Sequence, residues 1–302
     1  MNPRPLLVLG LVLAQIGALH ALTPTRDELI ALTPQWTGER YPDGRPKVPE
    51  SILQRMKKVS LEEAWGTLQG AGYRNQFEGN WQILRPDQTL VGRALTALYL
   101  PSRPDLEARV RALGKEQNRV GPSNSWPIDQ LEKGDLYVAD GFGKVIDGTL
   151  IGDNLGNAIY TRSGTGVVFD GGVRDLEGLG RIEGFNAFVR GWDPSAIKDM
   201  TLGAINRPTR IGRVTVLPGD VVLAKRGGII FIPPHLAERV VVEAEIVAVK
   251  DEFGHQRLRE GVYTPGQIDV RWTPEIIEDF MRWLDQNPGK LELPKDQIRK
   301  QL

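Results

Sequence analysis

The chain has 302 residues, its Lys+Arg and Asp+Glu totals are both 38, and it contains no cysteine. A formal net charge of zero gives no electrostatic footprint for nucleic acid, which requires clustered basic residues. Without cysteine there is no disulfide framework and no lipid-attachment thiol, and the length suits one large domain or two small ones with a sizeable core.

Residues 1–21 read as a secretory signal peptide. Arg4 supplies the positive start, Leu6 to Ala18 is an apolar run too short to span a bilayer, and Ala21 is the last residue before the expected cleavage. The expectation is a protein exported to the periplasm or beyond, with no stable membrane insertion after cleavage. Residues 22–59 are rich in Pro, Thr, Arg and Asp and show little periodicity. They read as an N-terminal arm across the domain or a neighbouring subunit, pinned by Trp36 and Tyr41, with a helix starting in Ser51–Lys58. Ser60-x-x-Glu63 is a capping box, and Leu61, Ala64, Trp65 and Leu68 then share one apolar face, with Trp65 read as core. A strand is expected over Leu90–Leu100, a helix over Pro104–Leu113, a short helix over Pro127–Glu132 and a buried strand over Asp135–Asp140. Gly141-Phe142-Gly143-Lys144 is a turn, and Lys144 reads as a surface lysine.

The stretch Ile151–Leu179 organises the rest. Gly152-Asp153-Asn154 makes a tight turn, Asp153 caps a helix running to about Arg162, and Ser163–Gly166 breaks it. Val167–Phe169 is a short buried strand that Gly171-Gly172 ends, and Arg174-Asp175 follows at once. A helix N-terminus offers free N–H groups to an anion, and a guanidinium with a carboxylate suits a substrate carboxylate and a divalent metal. Taken alone, Arg174-Asp175 also reads as an ion pair at a strand end. The two side chains converge only if the glycines bend the strand, because neighbours on a regular strand face opposite ways. Gly164-x-Gly166 follows a helix and opens a strand, the reverse of a dinucleotide fingerprint.

Farther on, Ala187–Arg190 and Arg213–Leu217 read as strands. Val221–Lys225 and Ile229–Ile232 form a hairpin around Arg226-Gly227-Gly228, and Pro234–Val249 is a helix. The pattern predicts an α/β fold with a mixed sheet sandwiched by helices, spanning residues 60–250. His235 and His255 have no metal-ligand spacing. Residues 251–302 form a C-terminal helical extension. In it Thr273-Pro274-Glu275 starts a helix whose stripe of Ile276, Ile277, Phe280, Met281 and Leu284, with Trp283 beside it, packs on the same chain or on a neighbour.

Asp153, then Arg174-Asp175, resembles the D-x20-R-D signature of the 4-hydroxy-4-methyl-2-oxoglutarate aldolases, in the RraA-like superfamily. The likeness extends through SLEEAWGTLQGAG from Ser60, LVGRALTALY from Leu90, GDLYVAD from Gly134 and LPGDVVLAKRGGIIFIP from Leu217. It implies a swivelling β/β/α domain assembled as homotrimers or homohexamers. It further implies Mg2+ or Mn2+ on Asp175, a small 2-oxo acid substrate on Arg174, and the N–H groups of Asn154 and Leu155 on the substrate carboxylate. Asp153 would orient water or the arginine. The implied activity is a carbon–carbon lyase, an aldolase or an oxaloacetate decarboxylase; the other class in the superfamily is a non-catalytic regulatory protein. The aldolases use a further acid from a neighbouring subunit, for which Glu260 and Asp269 are the candidates here.

Overall fold

The structure, a computed structural model, describes residues 22–291 and 293–299. The expected signal peptide therefore lies outside the described residues. No described helix is long and apolar enough to cross a membrane. The helices are α1 Arg26–Leu32, α2 Glu50–Met56, α3 Leu61–Gly70, α4 Pro104–Glu116, α5 Asp153–Ser163, α6 Leu176–Gly180, α7 Ala237–Arg259, α8 Pro265–Ile268, α9 Pro274–Gln286 and α10 Lys295–Arg299. The strands are β1 Phe77–Glu78, β2 Gln82–Ile83, β3 Leu90–Pro101, β4 Asp135–Asp140, β5 Val167–Val173, β6 Ala187–Trp192, β7 Met200–Ile205, β8 Thr209–Ile211, β9 Val214–Val216, β10 Val221–Lys225 and β11 Gly228–Ile232.

Nine strands form one mixed sheet in the order β1-β11-β10-β3-β4-β5-β6-β2, and β7 pairs with the far end of β3. The centre, β3-β4-β5-β6, is parallel. The long β3 is the hub: its first half pairs with β10, its second half with β7, and β4 lies along its other edge.

Period-two alternation assigns the two faces. Leu95, Ala97, Tyr137, Ala139, Val167 and Phe169 point toward α4, α5 and α6. At the β10–β11 end, Val221, Leu223, Ile230 and Ile232 meet α2, α3 and α7. The residues between them, including Leu136, Val138, Val168, Val222 and Phe231, pack under Ile211, Val214 and Val216 of the separate β8–β9 hairpin. The layers are thus hairpin, sheet and helices, a β/β/α arrangement.

Several sequence expectations shift. The Ser60/Glu63 capping box starts α3 as expected, but Trp65 is half exposed while Ala64 and Leu68 are buried. Leu61, Ala64 and Leu68 join the core that α7 and β11 help to form, and Trp65 does not. Of the two courses expected for residues 22–59, across the domain or onto a neighbour, the described chain follows the first. Val48, Ile52, Leu53 and Met56 enter the core, and Arg45 is buried against Asp135 of β4. The helix expected to stop at Val249 runs on to Arg259. The apolar stripe of α9 packs on the distal end of α7, with Phe253, Trp272, Phe280 and Trp283 in edge-to-face and stacked contacts. That stripe is therefore buried within its own chain.

One core carboxyl makes folding pH-dependent. Asp220, in the turn before β10, is buried, and among the described residues its carboxyl accepts only the Leu217 N–H, at 2.8 Å. Burial pushes its pKa up to about 7. Between the unfolded value near 4 and this folded value, the folded chain binds a proton that the unfolded chain has released. Its stability contribution is intact at about pH 4, declines as pH rises toward 7, and is flat above. Asn retains an acceptor for Leu217 without titrating. Asp220→Asn is expected to match wild type near pH 4 and to exceed it at pH 8 by on the order of 3 kcal/mol. Urea unfolding at both pH values measures the gap; an equal gap at the two would refute the burial argument.

Candidate active site at the α5 N-terminus

The site forms where β5 ends. Residues 149–151 run beside that end: Thr149 bridges Gly172, the Leu150 N–H donates to Gly172 O at 2.9 Å, and the Arg174 N–H donates to Ile151 O at 3.0 Å. This pairing sets the first turn of α5 against Arg174 and Asp175.

The glycines do not end the strand as expected. β5 runs through them to Val173, with a register irregularity between Phe169 and Gly172. Their smallness allows close cover, since a Cβ on Gly172 would lie 3.0 Å from Val145 O. The bend is made by Asp175 itself, which is left-handed at φ 58°, ψ 47°. Asp tolerates that region better than most residues, yet the conformation costs about 1–2 kcal/mol. Such outliers collect at functional sites. Asp175 stands at the N-cap position of α6 but makes no side-chain cap bond. Its Oδ2 instead turns back to α5, 3.4 Å from the Asp153 N–H and 3.6 Å from Arg174 Nε.

Asp153 is the first residue of α5 and not its cap; Gly152 holds the cap position. Space decides this. A Cβ at residue 152 would collide with Asp175 Oδ2 and lie 3.0 Å from Arg174 Nε. The first helical bond is from the Gly156 N–H to Gly152 O, so the N–H groups of Asn154 and Leu155 have no partner within the helix. The Asp153 side chain packs against Gly178, where a Cβ would meet Oδ2 at 2.6 Å, and its carboxylate accepts no hydrogen bond from a described residue.

These groups share one cleft of about 270 Å³, lined by Asp153, Asn154, Leu155, Arg174 and Asp175 together with Asn124 and Ile197. Both Arg174 and Asp175 are close to half exposed. All five residues singled out in the sequence are thus brought together. Asn124 and Ile197 were missed: they come from irregular segments without periodicity, and a single Asn between two serines carries no local signal.

Lys144 does not line the cleft; its Nζ donates to Lys198 O at 2.7 Å. Glu260 and Asp269 do not line the cleft of their own chain, and Glu260 is held by Arg257 at 2.7 Å. Among the described residues, no three His, Cys, Asp or Glu side chains cluster as a metal cage.

Residues 60–231, more than half of the chain, match the RraA-like family model, described as Aldolase/RraA. The chain belongs to the RraA-like family. A putative 4-hydroxy-4-methyl-2-oxoglutarate aldolase of Halalkalibacterium halodurans is 26% identical over 170 residues, covering 52% of this chain and 80% of the relative. The 4-hydroxy-4-methyl-2-oxoglutarate aldolase of Thermus thermophilus is 30% identical over 147 residues, 47% of this chain and 85% of its own length. A Streptomyces coelicolor protein, described as an unusual member of the RNase ES inhibitor RraA protein family, shares the fold. It has a TM-score of 0.59 at 24% identity, over 70% of this chain and all of that one. The RraA-like family thus includes both named aldolases and named inhibitors.

Proposed function

We propose that this protein is a divalent-metal-dependent lyase that cleaves or decarboxylates a small 2-oxo acid through a pyruvate-enolate-type intermediate. The observation that carries the proposal is the convergence of Arg174, Asp175 and the open N-terminus of α5 on one cleft. The aldolase names of the relatives point to the same chemistry.

The donor set fits a hard cation that keeps most of its water. Asp175 offers a half-exposed carboxylate committed to no cap, and Asp153 offers a second on the same cleft. One or two carboxylates with several waters is the usual protein share for Mg2+, whereas zinc needs a fuller cage. Asp175 would hold Mg2+ or Mn2+, with Asp153 reaching it through water. The ion, when bound, supplies Lewis-acid polarisation of the 2-oxo group.

The chain's own groups do the remainder. The Asn154 and Leu155 N–H groups, at the positive end of α5, bind the substrate carboxylate. The Arg174 fork grips the substrate oxygen atoms and strengthens its hold as negative charge gathers on the enolate oxygen. In oxaloacetate the bond to the departing carboxylate breaks, CO2 leaves, and its electron pair enters the enolate, which takes a proton at carbon to give pyruvate. In an aldol substrate the hydroxyl proton leaves through water oriented by Asp153, the C–C bond breaks, and a carbonyl product departs beside the same enolate.

The test is pyruvate release by purified protein from several 2-oxo acids, oxaloacetate among them. Release with Mg2+ that falls to background with EDTA is expected. Release indifferent to EDTA refutes metal dependence, and no release from any 2-oxo acid leaves a non-catalytic binding protein of the RraA-like fold.

A further inference from the structure

The cleft has a charged end and an apolar one. Asp153, Arg174 and Asp175 make the charged end, where α5 starts. Much of the other lining comes from two loops fastened to residues 147–150. One carries Pro122 and is held through Asn124, whose Nδ2 donates to Leu150 O at 2.8 Å. The other carries Ala196 and Ile197. It is held through Ser195, whose Oγ accepts the Asp147 N–H at 2.7 Å and whose carbonyl accepts the Thr149 hydroxyl. Leu155 of α5 and Ile197 pack on the core and remain partly exposed, and Ala196 is exposed, so all three bring apolar surface to the cleft. Among the described residues that line it, Arg174 is the single cation, against the two carboxylates of Asp153 and Asp175. Lys144 and Lys198 stand outside the lining, with the Lys144 ammonium held on Lys198 O.

We infer that the bound acid is a monocarboxylate whose far end is a short alkyl group lying on Leu155, Ala196 and Ile197. The inference rests on the 2-oxo acid reading of this cleft and adds the chemistry of the tail. Two tails of equal length show the contrast. A methyl end leaves water for apolar surface, which is favourable in proportion to the area covered. A carboxylate end would give up part of its hydration beside side chains that offer no donor. It would also feel the like charge of Asp153, while Arg174 is engaged at the reacting oxygen atoms. In a 4-hydroxy-2-oxo acid of this class the hydroxyl proton passes to water and the C3–C4 bond breaks. Its electron pair enters the pyruvate enolate, which takes a proton at carbon, and a short aliphatic aldehyde departs. Oxaloacetate is one carbon shorter than these acids and remains a probe of bond breaking, not of the tail.

The experiment compares 2-oxopentanoate with 2-oxoglutarate, which share a five-carbon skeleton and differ only in a methyl or a carboxylate at the far end. Neither carries the hydroxyl that cleavage needs, so calorimetry on the full chain with Mg2+ present reads binding alone. Wild type is expected to bind 2-oxopentanoate about tenfold more tightly. Ile197→Lys puts an ammonium on the apolar wall and should bring the ratio to one or reverse it, chiefly by tightening 2-oxoglutarate. Ala196→Lys, at an exposed position, should act in the same direction and stands in if the first variant fails to fold by circular dichroism. Equal affinities in wild type, tighter 2-oxoglutarate, a ratio unchanged in a folded variant, or no binding of either acid overturns the inference. Pyruvate release is measured separately from 4-hydroxy-2-oxopentanoate and 4-hydroxy-2-oxoglutarate, with the first expected to have the higher kcat/KM by a similar factor. Release from both with equal affinities for the two probes would sink the alkyl tail and keep the lyase. A binding preference that the lysine reverses, without release from any acid, would keep the tail and sink the lyase.

Discussion

Replacing Arg174 by lysine is expected to lower kcat/KM for oxaloacetate decarboxylation by about a hundredfold or more, with most of the loss in kcat. Lysine keeps the charge and loses the planar fork that grips two oxygen atoms. The lost contact is one that strengthens as the enolate forms, so turnover falls and not affinity alone. Folding should survive, since the Arg174 side chain is 43% exposed and its 3.6 Å contact with Asp175 is of the solvent-screened kind that contributes little. Asp175→Asn is the matching test of the metal. The left-handed backbone at φ 58° restricts the choice: asparagine tolerates this region about as well as aspartate, whereas alanine or glutamate adds strain. Asparagine therefore removes the charge and leaves the bend. The expected result is activity near background at a Mg2+ concentration that saturates wild type. Variants that remain folded by circular dichroism and retain full activity would defeat the assignment of both residues.

The second large effect is on stability. Arg45 and Asp135 are both buried and pair at 2.8 Å, and Arg45 also reaches Asp43 at 2.7 Å and lies 4.9 Å from the Tyr41 ring centre. Arg93 approaches the other oxygen of Asp135 at 3.6 Å and donates to Val48 O at 2.8 Å. Together these contacts tie residues 41–48 to the start of β4. Arg45→Met leaves the buried Asp135 carboxylate with only the 3.6 Å approach of Arg93 and the Glu132 N–H at 3.0 Å. Removing one partner of such a pair costs about 3–5 kcal/mol. Urea denaturation measures it, and Arg45→Met combined with Asp135→Asn should recover much of the loss, because no orphan charge remains. A loss below about 1 kcal/mol would show that the pair behaves like a surface one.

These two clusters show what a sequence discloses. The site was legible because its parts are local: a turn, a helix start and a strand end lie within Ile151–Leu179, and their residue types limit the chemistry. The Ser60/Glu63 cap, β3, β4 and the β10–β11 hairpin were legible for the same reason, through caps, alternation and turn glycines. The Arg45–Asp135 pair joins residues far apart in sequence, and nothing near either one announces the other. Residues 22–59 consequently read as an arm pinned by Trp36 and Tyr41, without the buried ion pair that anchors it. Asn124 is hidden in the same way, since its position depends on the return of residues 149–151 to β5. Trp65 failed for a different reason: periodicity places a residue on a face, but the neighbouring element decides how wide that face is.

The helix α7 belongs to two cores at once. Val240, Val241 and Ala244 pack with α2 and α3, while Val249 and Phe253 pack with α9 and Trp272. Trimming the chain at the end of the family match, or at residue 250, would cut through or remove a single uninterrupted helix and strip the aromatic cluster of its floor. The end of the family match is thus not a boundary at which the chain can be divided. Inheritance and cooperativity draw the edge of the molecule in different places, and any shortened version that retains the cleft must respect the second.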